Sequence, residues 1–313
     1  SMEIDLVYLW VDGNDPAWRE RKRAFLGEPP DDGGETNCTA RWADNDELRY
    51  SLRSAERFAP WIRRVFIVTD GQTPAWLDTS NPRVTIVDHR EIMPPQALPC
   101  YNACVIEHFI YRIPGLAEHF LYSNDDTFFG APLTPDFFFA ADGYPILRLK
   151  RKICGKLREA VKRWLKVGYG HYRRALLRSA RQVERVTGRY FSGIPHHNID
   201  SYRKSDYRRA VEDVFGDEVE SSLSHSIRTE GDFHRSAIAL WTLATGHAHR
   251  KYVARKSESC RIGVHKPDYM ETIRRYSPRL FCLNDSQRAS DADRERIRPF
   301  LEELFPEPSS FEK

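Results

Sequence analysis

Asn124-Asp125-Asp126 closes the apolar segment HFLYSNDD (119–126) and is followed by Thr127-Phe128-Phe129. Two adjacent carboxylates at the end of a strand suit a hard divalent cation, Mg²⁺ or Mn²⁺, and such a cation would hold the phosphates of a nucleotide. The same residues would also make a solvated turn; the apolar flanks favour the cation, because enclosed acids need compensation. Asn284-Asp285, in LFCLNDSQ, repeats the form, and either completes a metal shell or caps a helix. His196-His197 and His225-Ser226-Ile227-Arg228 lie in loop-like sequence. A neutral imidazole exchanges protons near pH 7, and a guanidinium matches the oxygens of a phosphoryl group in transfer. Cation, base and arginine are the parts of phosphoryl transfer, although each alone is also an ordinary surface feature.

Other chemistries lack their signatures. The sequence has no GxxxxGK[ST], no GxGxxG after its first strand and no GxSxG, which weighs against a P-loop enzyme, a dinucleotide dehydrogenase and a serine hydrolase.

The elements that must position these residues follow from hydrophobic pattern. IDLVYLWV (4–11) is a nearly continuous apolar run, the mark of a strand buried on both faces. Asp15 then caps a helix with Pro16 at its first position, running to Phe25. Residues 28–44 read as a loop. A helix from Asn45 carries Leu48, Leu52, Ala55 and Ala59 at helical spacing. RVFIVTD (64–70) and RVTIVDH (83–89) are strands, and a helix spans 102–113 before the strand at 119–126. Strands alternating with helices predict an α/β fold with a mostly parallel sheet, whose ligands bind at the carboxyl ends of the strands. Those ends carry Asp12, Asp70, Asp88 and Asp125-Asp126. Further helices are expected at 206–215, 232–246 and 289–305, with the last residues, FPEPSSFEK, as a loop or tail.

Residues 148–189 stand apart, with 15 Lys and Arg against two Glu. Against a whole-chain charge of +3, this local +13 leaves the remainder near −10. Leu149, Ile153, Leu157, Val161, Trp164 and Leu165 mark one amphipathic helix, and Leu176, Leu177, Ala180, Val183 and Val186 a second. The reading is a basic helical hairpin (148–189) inserted between the two parts, 1–147 and 190–313, of a catalytic α/β domain. A solvated helical pair, a dock for an anionic polymer and a platform for anionic lipid headgroups all fit it.

The 313 residues, 41% of them hydrophobic, suffice for a buried core, and a net +3 does not argue for nucleic acid as a partner. No stretch is long and apolar enough to span a membrane, and the opening SMEIDLVYLWVDGND is not a secretory signal. Six cysteines without CxxC spacing make neither a zinc signature nor a disulfide scaffold, so a reduced, cytoplasmic context is expected.

Taken together, four ordered blocks resemble the Stealth family of sugar-1-phosphate transferases, which includes bacterial capsular polysaccharide phosphotransferases and the catalytic part of the animal lysosomal-enzyme N-acetylglucosamine-1-phosphotransferase. They are IDLVYLWVDGNDPAW (4–18), the long block running from 41–77 to 98–130, PHHNIDSYRKSD with SHSIRTEGDFHRSAIALWTLATG (195–246), and FCLNDSQ with FPEPSSFEK (281–287 and 305–313). The basic hairpin belongs to none of them. The resemblance implies a Rossmann-like, GT-A-like domain and a UDP-sugar donor. A glycan or phosphoglycan hydroxyl would attack the β-phosphorus and release UMP, with Mg²⁺ or Mn²⁺ as cofactor. It implies that Asp125 and Asp126 are the essential acids, that Arg228 is a catalytic-site arginine, and that Asn284 and Asp285 bind metal or diphosphate. Trp10, Asp12, Gly13, Asp15, Arg49 and Asn124 would form the nucleotide site. The family's catalytic His adjoins a Pro upstream of that Arg; here Pro195-His196-His197 departs from the family's His-x-Pro order, and either His196 or His197 fills the role. The alternatives are a metal-dependent glycosyltransferase releasing UDP, and a glycan- or lipid-binding module without activity. The hairpin would bind the anionic acceptor or the inner membrane leaflet, making the protein peripheral there.

Overall fold

The computed structural model describes residues 2–27 and 43–313. Its strands, in chain order, are β1 (Ile4–Leu9), β2 (Val65–Thr69), β3 (Val84–Asp88), β4 (His119–Asn124), β5 (Thr127–Phe129), β6 (Ile146–Lys150), β7 (Ile194–Pro195), β8 (Asp200–Arg203), β9 (His249–Tyr252), β10 (Ser259–Gly263) and β11 (Leu280–Asn284). Its helices are α1 (Pro16–Leu26), α2 (Glu47–Phe58), α3 (His89–Ile92), α4 (Ala103–Glu107), α5 (Gly155–Trp164), α6 (His171–Thr187), α7 (Lys204–Arg209), α8 (Gly216–Ser222), α9 (Ser236–Ala244), α10 (Tyr269–Tyr276), α11 (Asp291–Glu295) and α12 (Ile297–Leu304).

The central sheet has the order β3-β2-β1-β4-β8. Its first four strands are parallel and β8 is antiparallel to β4. Side chains of a strand alternate between faces, and here each face finds its own core. Val7, Phe66, Val68, Phe120 and Tyr122 pack with Ile238 and Leu240 of α9 on one side. Leu6, Tyr8, Ile67 and Leu121 pack with Leu48, Leu52 and Ala55 of α2 on the other. A strand covered on both faces must be apolar along its length, which is why β1 and β2 read as continuous runs. The exception, Asp5, is fully buried and gripped by Arg63 at 2.7 and 2.9 Å. The architecture is the expected Rossmann-like α/β domain. Two small sheets adjoin it, β10-β11-β5 and β7-β6-β9.

Several local expectations change. The helix expected over 102–113 is α4 followed by a 3-10 turn at Ile110–Arg112, and that over 289–305 divides into α11 and α12. Leu149 is not on a helix. It lies in β6, which pairs with β9 on one side and β7 on the other. Leu147 and Leu149 alternate with Arg148 and Lys150, the period of two of a strand, whereas Leu149 with Ile153 and Leu157 also fits a helix. The second hairpin helix, α6, is no appendage either: Ala175, Leu176, Ala180 and Val183 are buried, and Ala180 and Val183 join the core that holds α9.

The final residues are not a free tail. Phe311 is buried in the α2 core, and Glu312 accepts hydrogen bonds from Arg53 Nε at 2.7 Å and Nη2 at 2.9 Å and from Arg49 Nε at 2.7 Å. Burial pushes the Glu312 carboxyl up, but bonds from Arg53, the Ser309 N–H and Arg49 outweigh it and hold it down at about 2. A carboxylate held below its unfolded value stabilises the fold above that value, and the contribution is lost as pH falls through the folded one. Glu312→Gln is therefore expected to cost roughly 3 kcal/mol at pH 7, because the buried Arg53 guanidinium loses its main charged partner and Arg49 loses one of its two. In thermal melts, the gap between wild type and variant should narrow as pH drops below about 4.

Candidate active site

Asp125 and Asp126 occupy the corner between β4 and β5, where the chain leaves the central sheet for the β10-β11-β5 sheet. β11 runs antiparallel to β5, pairing Cys282 with Thr127, and the Leu283 N–H continues the ladder by donating to the Asp126 carbonyl at 2.9 Å. This register sets Asn284-Asp285 beside Asp126. Both Asn-Asp steps line a cleft of about 430 Å³, together with Leu9, Trp10, Asp70 and His89 at the carboxyl ends of β1, β2 and β3.

Two more acids join from α2. Glu47 is its first residue and Asp44 lies in the turn before it. Carboxylate oxygens of Asp44, Glu47 and Asp125 lie within 4.8 Å of one another. Enclosure first, and then the neighbouring acids, push Asp44, Glu47, Asp125 and Asp126 above the ordinary carboxylate range. Crowded hard oxygens of this kind fit a Mg²⁺ or Mn²⁺ ion. The cluster differs from the ligand set expected from the sequence. Asn284 Oδ1 accepts from Arg261 Nη2 at 2.7 Å, and Asp285 is held bidentately by Arg294 at 2.8 and 3.2 Å. They lie on the cleft wall but outside the three-carboxylate cluster, as does Asp126, while Asp44 and Glu47 lie in it. The only sequence signal for these two was the acidic run ADNDE (43–47), which also reads as helix-capping chemistry.

Basic groups line the same cleft: His197, His234, Arg178, Arg228, Arg235 and Arg261. Of the two adjacent histidines, His197 is on the cleft wall and His196 is not; His196 Nδ1 bonds Ser259 Oγ at 2.7 Å. Burial, and then the charges of Arg235, Arg261, His196 and Arg228, push the His197 ring down to about 4, so it is neutral at pH 7. His234 is a different kind of group. The Ser236 N–H donates to its Nδ1 at 3.1 Å, so the neutral ring carries its proton on Nε2 and serves as a donor. Arg235 is pinned by Asp200 and by the Tyr202 hydroxyl at 2.9 Å. The loop carrying Arg228 is tied down by Asn102, whose Nδ2 donates to the His225 and Ile227 carbonyls, both at 3.1 Å, and to Asp232 at 2.9 Å. His225 pairs with Asp232 at 2.7 Å and has a role in holding this loop. Arg178 comes from α6, and its Nη2 is buried without a hydrogen-bond partner.

The residues expected to form the nucleotide site divide. Trp10 and Asn124 are on the wall. Asp12, Gly13 and Asp15 are not; they build the loop beneath it. Asp12 accepts from the Asn14 N–H at 2.8 Å, Asp15 caps α1 by accepting from the Ala17 N–H at 2.9 Å, and the Gly13 carbonyl accepts from Arg19. Arg49 also lies off the wall, clamped between Glu312 and Asp46 and stacked near Trp76. Its partner is at the far end of the chain, which no local spacing reveals.

Three Stealth protein conserved regions match this chain: region 1 over residues 2–28, region 2 over 41–147 and region 4 over 271–313. The chain belongs to the Stealth family. An exopolysaccharide phosphotransferase of Streptomyces coelicolor is 33% identical over 325 residues, covering 100% of this chain and 52% of that protein. The exopolysaccharide phosphotransferase CpsY of Mycobacterium tuberculosis is 35% identical over 332 residues, covering 99% and 58%. The capsular polysaccharide phosphotransferase WcwK of Streptococcus pneumoniae is 43% identical over 143 residues, covering 46% and 43%. The chain thus spans about half the length of the Stealth relatives it matches from end to end. Among solved structures it is similar to the galactosyltransferase LgtC, with 13% identity and a TM-score of 0.46 over 98% of this chain and 96% of that one. The acid cluster falls in conserved region 2 and Asn284-Asp285 in region 4, whereas His197, Arg228 and the α6 residues lie outside the matched regions.

The Stealth acid cluster has a stability consequence. Carboxyls raised above their unfolded values favour the fold while protonated, and that contribution is lost as pH rises through the folded values. Asp125→Asn should therefore raise the melting temperature of the metal-free protein at pH 8 by several degrees. The gain should fade as pH falls below about 7, the value to which Asp44 and Glu47 are raised.

Proposed function

We propose that this protein transfers a sugar-1-phosphate from a UDP-sugar to a glycan hydroxyl, releasing UMP and leaving a phosphodiester in a surface polysaccharide. The observation that carries the reading is the composition of one cleft: Glu47 and Asp125 of the carboxylate cluster, a neutral histidine and several arginines line the same cavity. The names of the relatives, exopolysaccharide and capsular polysaccharide phosphotransferases, support the same class of reaction.

A divalent cation held by Asp44, Glu47 and Asp125 would offset the charge of a diphosphate. The chain's own residues do the rest. Arg228, Arg235 and Arg261 meet the anionic oxygens, and planar guanidinium groups suit the equatorial oxygens of a phosphoryl group in transfer. The Trp10 indole, whose Nε1 is buried and unpartnered, offers a ring and a donor to the nucleoside. The acceptor oxygen bonds to the β-phosphorus, the bond from that phosphorus to the bridging oxygen breaks, and the electron pair leaves with UMP. The hydroxyl proton passes to His197. Free His197 is a weak base, first because it is buried and then because Arg235, Arg261 and Arg228 crowd it. A bound diphosphate counters their field and raises the ring's basicity, so the base is competent only with donor in place.

A panel of UDP-sugars with glycan acceptors and Mg²⁺, read by mass spectrometry, should release UMP. Release of UDP would make the protein a glycosyltransferase, and absence of any turnover would leave a binding module. His197→Ala should lower kcat roughly 10²- to 10⁴-fold with donor affinity nearly intact, while His196→Ala stays near wild type. The reverse order would move the base to His196. Arg178→Ala should raise the donor or acceptor KM roughly ten- to hundredfold, through loss of a charged hydrogen bond to phosphate.

A further inference from the structure

α5 is mounted with its polarity reversed. A helix on a globular surface normally turns its apolar stripe inward. Here the polar side faces the protein. Lys156 pairs with Glu184 of α6, and Glu159 accepts hydrogen bonds from Arg181 at 3.0 and 3.2 Å and from the Tyr190 hydroxyl at 3.0 Å. No residue of α5 is buried. The stripe of Ile153, Leu157, Val161, Trp164 and Leu165 points outward, with 73, 65, 46, 81 and 55% of each residue exposed. Around it, residues 150–166 hold eight Lys and Arg and a single acid, Glu159, which is turned inward onto Arg181.

We propose that this face docks on an anionic lipid bilayer. The apolar stripe enters the headgroup boundary and the surrounding Lys and Arg meet anionic headgroups. Charge and apolarity together select this occupant. A second copy of the chain would cover the stripe but would bring two strongly cationic patches into contact. A polyanionic glycan would satisfy the cations and leave Trp164 and Leu157 in water. An anionic bilayer satisfies both, and stable attachment to a membrane surface generally takes two such signals. α5 lies on the bilayer; no helix among the described residues is long and apolar enough to cross it.

The docking face is joined to the cleft. α6 starts seven residues after α5 ends and gives Tyr172, Ala175 and Arg178 to the cleft wall. If the transfer proposed above is correct, docking delivers the cleft to acceptors anchored in lipid, and the acceptor class is a membrane-tethered glycan. That last step rests on the proposed function; the docking does not.

The test is co-sedimentation of the whole protein with vesicles, which needs no turnover. The vesicles are phosphatidylcholine alone, or phosphatidylcholine with about one-third phosphatidylglycerol, the anionic headgroup source. Wild type should pellet with the anionic vesicles, much less with the neutral ones, and less at high salt. Leu157→Ser with Trp164→Ser, and separately Arg158→Glu with Lys162→Glu, should each lower the partition coefficient roughly tenfold or more. Circular dichroism should show both variants folded, as the four side chains are outside the core. Two results would overturn the proposal. One is wild type remaining in the supernatant with anionic vesicles at low salt. The other is concentration-dependent self-association of wild type that Leu157→Ser with Trp164→Ser abolishes, which would name a second copy as the occupant.

Discussion

Enclosure of Asp44, Glu47, Asp125 and Asp126 side by side, and then the repulsion among neighbouring acids, is the cost around which this structure is arranged. Enclosure and like charge raise all four carboxyls above their ordinary range, so in isolation these groups would move apart or take up protons. They stay together because separate parts of the fold, the β4–β5 corner and the start of α2, carry them in two pairs. Parallel pairing of β1 and β4, with Leu9 opposite Asn124, sets the corner at Asp125. Antiparallel pairing of β5 and β11 holds Asp126 from the other side. α2 delivers Glu47 from its first turn, where the helix dipole favours an anion, and the Arg49–Arg53–Glu312 clamp ties α2 to the chain's last residues. Strain of this kind at a site is the usual trade of stability for function.

The opposite charge is kept in the same cleft without collapsing onto the acids. Arg235 is engaged by Asp200 and Tyr202, the loop bearing Arg228 is strapped down by Asn102 and Asp232, and Arg261 is bonded to Asn284. These partners hold the guanidinium groups of Arg235 and Arg261 on the cleft wall, facing the space between the two charge types. The same arginines add to burial in holding the His197 ring down to about 4.

Much of the frame is legible from residue types because burial on two faces leaves little freedom. β1 and β2 had to be unbroken apolar runs, and a pair of acids after such a run had to mark a strand end. What depends on distance between remote segments is not legible. Arg49 and Glu312 look unrelated until the C-terminal residues fold back onto α2. Asp44 and Glu47 look like cap residues until Asp125 arrives beside them. Adjacent histidines cannot be told apart by type; the backbone at 196–197 turns one onto Ser259 and leaves the other in the cleft. Leu149 fits a helical period with Ile153 as well as an alternating one with Leu147, and only the partners on both sides of β6 decide between them. The apolar stripe of α5 was visible in sequence, but that it faces outward follows from ion pairs with Glu184 and Arg181, which lie in another helix.

The carboxylate cluster is tested most directly by the binding of Mn²⁺, followed by electron paramagnetic resonance, to wild type, Asp44→Asn and Asp285→Asn at pH 8. The structure predicts a site that Asp44→Asn weakens by roughly tenfold or more, since one of its hard-oxygen ligands is lost, and that Asp285→Asn leaves nearly intact, since that carboxylate is committed to Arg294. Unchanged affinity in Asp44→Asn together with loss of binding in Asp285→Asn would contradict it.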